Sequence, residues 1–478
     1  MAQQASNHPM DPAGPTGKLC TWIDAVKLSD IPESVRTRAK YLILDGIGCA
    51  LVGAHLPWSE KAVNVFLDID PPGKCALFGW DKKLSPLTAA LLNSTFIQGF
   101  ELDDWHSEGP LHSNSILLPS LFASLPLLNA PISGPQFLLS YLVGLETGPR
   151  VGNALYGTYI LTQGWHSGAV FGPSASAAAV SKLFELDAAQ VEDALGIACT
   201  QACGLMSAQF ESEVKRMQHG FPARNGLMAA LLARGGYVGI KKVYEREFGG
   251  FLDMFSKGNG KDPQFQIENL TEGLGSVWKA ENVKLKPYAA MAATHPTVDC
   301  IRKLQEQDGE KMKDFDNIES ITFEMADAAY SHGGFEVQRP LTTTGAQMSC
   351  MYVTATQMVD NQVMPQQFRH DMLNRDLVWD LVSKMKCKPN TEWKSFKQSA
   401  EVKFKDGKTI KGHVENARGN DPELSNDEIV EKFRGLMKGV IDDKRRDEIE
   451  RCVLGLDGCG DMMELCELLE GVSMNPIA

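Results

Sequence analysis

Apolar side chains recur every three to four residues through most of the first 275 positions, the spacing of helices that bury one face. The pattern predicts helices over 19–26, from Ser29-Asp30-Ile31-Pro32 through 40–50, and over 59–65. Further helices follow over 87–100, 135–156, 174–183, 187–206 (with Asp187 as N-cap) and 223–235. The Ser/Ala run 176–181 reads as a tight helix contact, and 75–86 as a turn leading into a helix. Almost nothing in this region alternates with period two, so it reads as all-α.

The pattern changes after about residue 275. Positions 317–325 and 400–405 alternate, and the second run meets Asp406-Gly407 and then 408–414, a hairpin with an Asp-Gly turn. Helices are expected near 295–304, 345–359 and 377–385. Residues 416–423 read as a linker, and 425–470 return to helix. The expected fold is mostly α. A large all-helical domain built from both chain ends, 18–275 and 418–478, encloses a smaller α+β domain over 276–417. The Pro-bearing polar stretch 1–17 reads as a disordered tail.

Composition narrows the function. Sixty acidic against 47 basic side chains give a net charge of −13, the wrong sign for a nucleic-acid binder. An anionic substrate would need a local basic pocket. Eleven cysteines are scattered with no CxxC pair, the usage of a reducing compartment, and the expected location is cytoplasmic. Cys199 and Cys203, four apart in an apolar run, read as buried thiols. The N-terminal stretch has no apolar signal region, and no run long enough to span a membrane occurs.

The candidate chemistry starts in the stretch 98–119, QGFELDDWHSEGPLHSNSILLP. It packs Glu101, Asp103, Asp104, His106, Glu108 and His112 between two apolar segments. Buried ionisable groups are costly unless paired or used, so the cluster reads as a polar site. The plain alternative is a loop whose carboxylates cap the next helix and whose histidines are solvated. Four smaller polar islands sit in turns: His166 in GWHSG, Lys215 to His219 in VKRMQHG, Lys286 with His295, and Tyr330 with His332. Each could equally be a capping or solvated turn. Metal-binding spacings such as HExxH are absent, as are a GxGxxG or GxxxxGK[ST] nucleotide cradle and a GxSxG elbow. A proton-transfer enzyme without metal or cofactor remains.

Several long runs carry a resemblance. KYLILDGIGCALVGA (40–54), IQGFELDDWHSEGPLHSNSILLPSLFAS (97–124), GWHSGAVFG (164–172), DALGIACTQACGLMSAQ (193–209), VKRMQHGFPARNGL (214–227) and FGGFLDMFSKGNG (248–260) resemble the MmgE/PrpD family. That family includes 2-methylcitrate dehydratases and cis-aconitate decarboxylases, and the runs are similar to the itaconate-forming branch of filamentous fungi. The resemblance implies a helical domain with an α+β lid, a homodimer, and a cofactor-free site in the cleft between domain and lid. It assigns catalytic roles to His112, His166, Lys215, Glu101 and Asp103, with Asp104 completing the acidic pair. Lys286, His295, Tyr330 and His332 would bind substrate. Met291 departs from the pattern, standing where many relatives carry Cys or His. The implied reaction is decarboxylation of the tricarboxylate cis-aconitate to itaconate, with an allylic shift and protonation of the α-carbon by a histidine. The alternatives are dehydration of 2-methylcitrate or another alkylcitrate, decarboxylation of trans-aconitate or an alkyl-substituted aconitate, and a homologue that has lost catalysis.

Overall fold

The computed structural model describes residues 7–208, 212–393 and 396–478. The chain is mostly α with small sheets, and it divides into two compact units. The first comprises residues up to Gly99, Asp103–Val283 and Ile429–Met474, and the second Phe100–Leu102, Lys284–Glu428 and Asn475–Ala478.

Helices α1 (Pro15–Ala25), α2 (Glu33–Gly53), α3 (Pro57–Ile69), α4 (Pro86–Ile97), α5 (Ser113–Ser124), α6 (Gly134–Ala154), α7 (Ser167–Leu183), α8 (Ala188–Cys199) and α9 (Gly220–Arg234) build most of the first unit. Helix α5 is buried on every side, and α7 packs between α6 and α9. Small polar residues survive in such helices because they bond back to their own turn. Ser120 Oγ donates to Ile116 O at 3.0 Å, and Ser124 Oγ to Ser120 O at 2.7 Å. The Ser/Ala run of α7 is a close helix contact, as its composition predicts. A Cβ on Gly226 of α9 would stand 2.3 Å from Ser176 Cβ, so only glycine allows this approach. Asp187 caps α8 as expected, its carboxylate accepting from Gln190 N–H at 2.9 Å.

The second unit is α+β. Strand β1 (Ile318–Ala326) is central: β2 (Met385–Asn390) runs parallel on one side and β3 (Gln398–Phe404) antiparallel on the other, with β4 (Thr409–Val414) beyond β3. The β3–β4 hairpin turns at Asp406-Gly407, with Gly407 at φ +82°, which glycine adopts without strain. Helix α10 (His295–Gln307) lies on β3 and β4, and α11 (Cys350–Asp360) packs on α10. The chain then returns to the first unit through α12 (Asn426–Met437), α13 (Asp443–Leu454) and α14 (Met463–Glu470). There Ser473 Oγ donates to Leu51 O at 3.0 Å.

Several expectations need correction. Of the stretch 1–17 read as disordered, residues 1–6 lie outside the described residues. From there the chain is anchored: Met10 N–H donates to Glu192 at 2.9 Å, and α1 already begins at Pro15. The turn 75–86 contains a two-rung antiparallel ladder, Cys75–Ala76 on Lys83–Leu84. Helix α8 ends at Cys199, short of 206, so Cys203 lies past its end and is exposed, while Cys199 is buried. The single helix expected over 345–359 is two, Thr343–Met348 and Cys350–Asp360. Ser349 is extended between them and caps the second by accepting from Tyr352 N–H. Strand β2 was not anticipated.

Candidate active site

The acidic loop divides its labour. Asp104 is fully buried, and its two oxygens accept from Ser113 N–H at 2.8 Å and Asn114 N–H at 3.0 Å, capping α5. Burial and the neighbouring Asp103 carboxylate push Asp104 up to about 7, against the pull of His112 and the Asn114 N–H. His106 is also structural. Its Nε2 donates to Lys279 O at 3.0 Å, while Nδ1 accepts from Gly109 N–H at 3.0 Å and Glu108 N–H at 3.2 Å. Glu108 pairs with Lys279 at 2.8 Å near the surface. The plain capping-loop reading holds for Asp104, whereas His106 is buried and not solvated, and Glu108 pairs with Lys279 and caps nothing.

Asp103 and His112 are different. Asp103 is 0 % exposed, and its Oδ2 lies 2.9 Å from His112 Nδ1. The carboxylate can only accept, so Nδ1 carries the proton and the contact leaves Nε2 out. The His112 side chain is about one-quarter exposed (25 %), so it can be reached. It stands at the N-cap of α5, fixed by the turn that Asp104 closes.

His112 belongs to a row of three imidazoles. The His219 ring centroid lies 4.8 Å from that of His112 and 4.9 Å from that of His166. His166 caps α7, its Nδ1 accepting from Ala169 N–H at 3.3 Å, which leaves Nε2 as the protonated nitrogen of the neutral ring. His219 is fully buried at the start of α9. It abuts the first turn of α7 so closely that a Cβ on Gly168 would stand 1.9 Å from its Nε2. Gln218 holds the adjoining loop by accepting from Leu205 N–H at 3.0 Å. Lys215, half-buried, lies on the 3-10 turn Glu213–Met217 that leads into His219.

Behind the acidic pair lies a buried ion pair. Lys432 Nζ of α12 stands 2.6 Å from Asp45 Oδ1 of α2. Burial raises the Asp45 pKa, and Lys432 opposes it. Burial pulls the Lys432 ammonium down, but Asp45 and Asp103 outweigh it and its pKa is raised. Helix α2 meets α5 here: Asn114 Nδ2 donates to Leu42 O at 2.8 Å and its Oδ1 accepts from Tyr141 Oη at 2.8 Å.

The second unit carries the remaining residues. Glu101 is buried at φ +58°, left-handed backbone that is strained for a glutamate. Its carboxylate lies 3.4 Å from the buried Lys286 Nζ. Gln347 holds this segment, its Nε2 donating to Phe100 O and Ala289 O, both at 3.0 Å. His295 opens α10, with Nε2 donating to Ala290 O at 2.9 Å and its ring edge-on to Tyr288 at 5.2 Å. Tyr288 Oη in turn donates to Asp299 at 2.5 Å and accepts from Arg302 at 3.0 Å. Tyr330 and His332 lie on the short helix Asp327–Gly333, Tyr330 half-buried and His332 exposed. A Cβ on Gly333 at the end of that helix would touch Met291 Cε at 3.0 Å, so Met291 packs there as an apolar wall.

The structure thus brings His112, Asp103 and His166 together in one unit and Glu101 with Lys286 in the other. The sequence marks His219 only as part of a polar turn, whereas the structure sets it between two other imidazoles; the Asp45–Lys432 pair was not expected. The signal for His219 was present, since it follows Lys215 in VKRMQHG before a glycine; nothing local marked Lys432. Among the described residues, no group of three or more His, Cys, Asp or Glu side chains stands in metal-binding geometry. No single described helix is long and apolar enough to cross a membrane.

The chain is similar to known proteins over nearly its full length. The chain is 46 % identical over 468 residues to the cis-aconitate decarboxylase-like protein oryM of Aspergillus oryzae, covering 95 % of this chain and 97 % of that one. It is 45 % identical over 481 residues to a cis-aconitate decarboxylase of Aspergillus terreus, covering 97 % and 98 %. A human cis-aconitate decarboxylase is 25 % identical over 476 residues, covering 97 % and 96 %. Residues 17–264 match the MmgE/PrpD N-terminal domain and 288–457 the MmgE/PrpD C-terminal domain. The chain therefore belongs to the MmgE/PrpD family.

Proposed function

We infer that this chain decarboxylates cis-aconitate to itaconate and CO2, with its own side chains as the only catalytic groups. The near full-length likeness to fungal cis-aconitate decarboxylases supports the substrate, and the Asp103–His112 contact supports the chemistry. Cleavage of the bond between the CH2 and its carboxylate releases CO2 and leaves an electron pair. That pair moves through the adjacent C=C toward the remaining conjugated carboxylate, so the substrate is its own electron sink. The double bond shifts, and one proton added to the α-carbon completes itaconate. The enzyme must bind three carboxylates, stabilise the dienolate and supply that proton.

His112 supplies the proton. Asp103 fixes its ring through Nδ1 and offsets the charge of the imidazolium, while Nε2 delivers to carbon. His166 and Lys215 offer an N–H and an ammonium to substrate carboxylates, and His219 holds the two outer imidazoles in position. In the second unit, Lys286 is the principal carboxylate-binding cation. Glu101 orients it, and His295, Tyr330 and His332 complete the polar set. Buried lysines suit this task because their charge is not dissipated in water.

The deciding experiment incubates the purified chain with cis-aconitate, trans-aconitate or 2-methylcitrate and follows products by NMR together with CO2 release. Itaconate and CO2 from cis-aconitate are expected. An aconitate-type product from 2-methylcitrate, with no CO2 from cis-aconitate, would replace this reading with a dehydratase. CO2 from trans-aconitate alone would move it to that isomer.

A further inference from the structure

The second unit holds a cavity of about 320 Å³ lined by none of the residues assigned to the reaction. Its wall is formed by α10, α11 and the short helix Gly309–Lys313. Arg302 and Lys313 place two cations on it, against the single carboxylate of Glu306. Beneath them runs a fixed chain of amides. Gln305 Nε2 donates to Met358 O at 3.3 Å, which makes Gln305 Oε1 the acceptor for Gln357 Nε2 at 3.1 Å. That order leaves Gln357 Oε1 as a buried acceptor with no hydrogen-bond partner among the described residues, on a side chain only 2 % exposed. An orphaned buried acceptor is costly, so a group that completes the site should bring a donor. The two cations call for carboxylates. Glu306 disfavours a denser anion such as phosphate and can accept from a hydroxyl.

We propose that this cavity binds a small hydroxycarboxylate, with its carboxylates on Arg302 and Lys313 and its hydroxyl donating to Gln357 Oε1. Occupation reaches the reaction through Arg302. The same guanidinium holds Tyr288 Oη, and Tyr288 lies against His295 and two residues after Lys286. A ligand carboxylate competes for that guanidinium and loosens Tyr288. This coupling rests on the roles given above to Lys286 and His295; the binding does not.

Gly309 supplies the test, because a Cβ there meets nothing within 4 Å. Gly309→Leu starts a bulky side chain from this open position on the cavity wall, and turnover of cis-aconitate should be unchanged. Titration calorimetry with citrate should show a binding event in the wild type that weakens at least tenfold in Gly309→Leu. Tricarballylate, which is citrate without the hydroxyl, should bind the wild type about tenfold more weakly than citrate. Citrate competing at the reaction site changes KM alone and persists in the variant, whereas citrate in this cavity should change kcat by twofold or more. Absent citrate binding, or equal binding by wild type and Gly309→Leu, overturns the site. Equal affinity for citrate and tricarballylate overturns the hydroxyl pairing, and an unchanged kcat overturns the coupling. Should Gly309→Leu fold poorly, Lys313→Gln at the exposed edge serves instead; it should weaken citrate several-fold, and unaltered binding would again overturn the site. The calorimetry is read whether or not the chain turns over cis-aconitate.

Discussion

Two histidines six residues apart illustrate how one loop holds both scaffold and chemistry. His106 spends both ring nitrogens on backbone groups, whereas His112 spends one on Asp103 and keeps the other available. His112→Ala should therefore lower kcat by roughly 10²–10⁴ with little change in thermal midpoint. His106→Ala should do the reverse, losing about 1–3 kcal/mol of stability for the orphaned backbone groups while kcat stays within a few-fold. Steady-state kinetics beside thermal melts of both variants separate the roles, and a matching pair of phenotypes would refute them. The adjacent carboxylates differ as well. Asp104 is pushed up to about 7 in the fold, far above an ordinary aspartate near 3.9. The folded state therefore holds more protons than the unfolded state between those values. Stability from this group is present below about pH 4 and lost as pH rises toward 7. Asp104→Asn, which cannot ionise, should show a shallower decline of unfolding free energy from pH 4.5 to 7 than the wild type. Parallel declines would show that Asp104 does not titrate in that range. The sequence revealed that this loop was polar and important. It could not say which carboxylate caps and which pairs, because that depends on where α5 begins to within one residue.

At the scale of elements, periodicity succeeded where an element buries one face and failed where tertiary packing decides. The β3–β4 hairpin was readable because alternation and an Asp-Gly turn agree with each other. Strand β2 was not, because MKCKPN carries Lys386, Lys388 and Pro389 and makes no apolar alternation. Its burial pattern is that of an exposed edge strand, where lysine and proline discourage further pairing. The start of α7 was placed too late because GWHSG looks like a turn, although His166 supplies the cap itself. That early start brings Gly168 against His219. Gly168→Ala adds a single methyl in a helix where alanine is intrinsically favoured, yet its Cβ would have to displace the imidazole. Turnover should fall at least tenfold while the circular-dichroism spectrum remains that of the wild type. Full activity would mean that His219 has no part in holding the imidazole row.

For the molecule as a whole, the informative contact is the one that no local reading can find. Asp45 sits in an apolar stretch of α2 and Lys432 in an ordinary amphipathic helix near the C-terminus. Each alone reads as an unremarkable charge, but in the fold both are buried and 2.6 Å apart. Cys49 Sγ reaches the other Asp45 oxygen at 4.0 Å. The Asp103 carboxylate also acts on this ammonium. Breaking such a pair by removing one partner typically costs about 3–5 kcal/mol, because the other charge is left buried alone, whereas removing both can be nearly neutral. Lys432→Met should accordingly lower the urea midpoint strongly, and Asp45→Asn should do so by less, since the Asp103 carboxylate still acts on the stranded ammonium. The double variant should recover most of the loss seen in Lys432→Met. Losses that simply add would mean the two residues are independent, and the C-terminal helices would then be joined to α2 by apolar packing alone. If the coupling is found, kcat of the double variant becomes the sharper reading. It should remain below that of the wild type, because Asp103 would then hold the His112 ring without the lysine charge that acts on it.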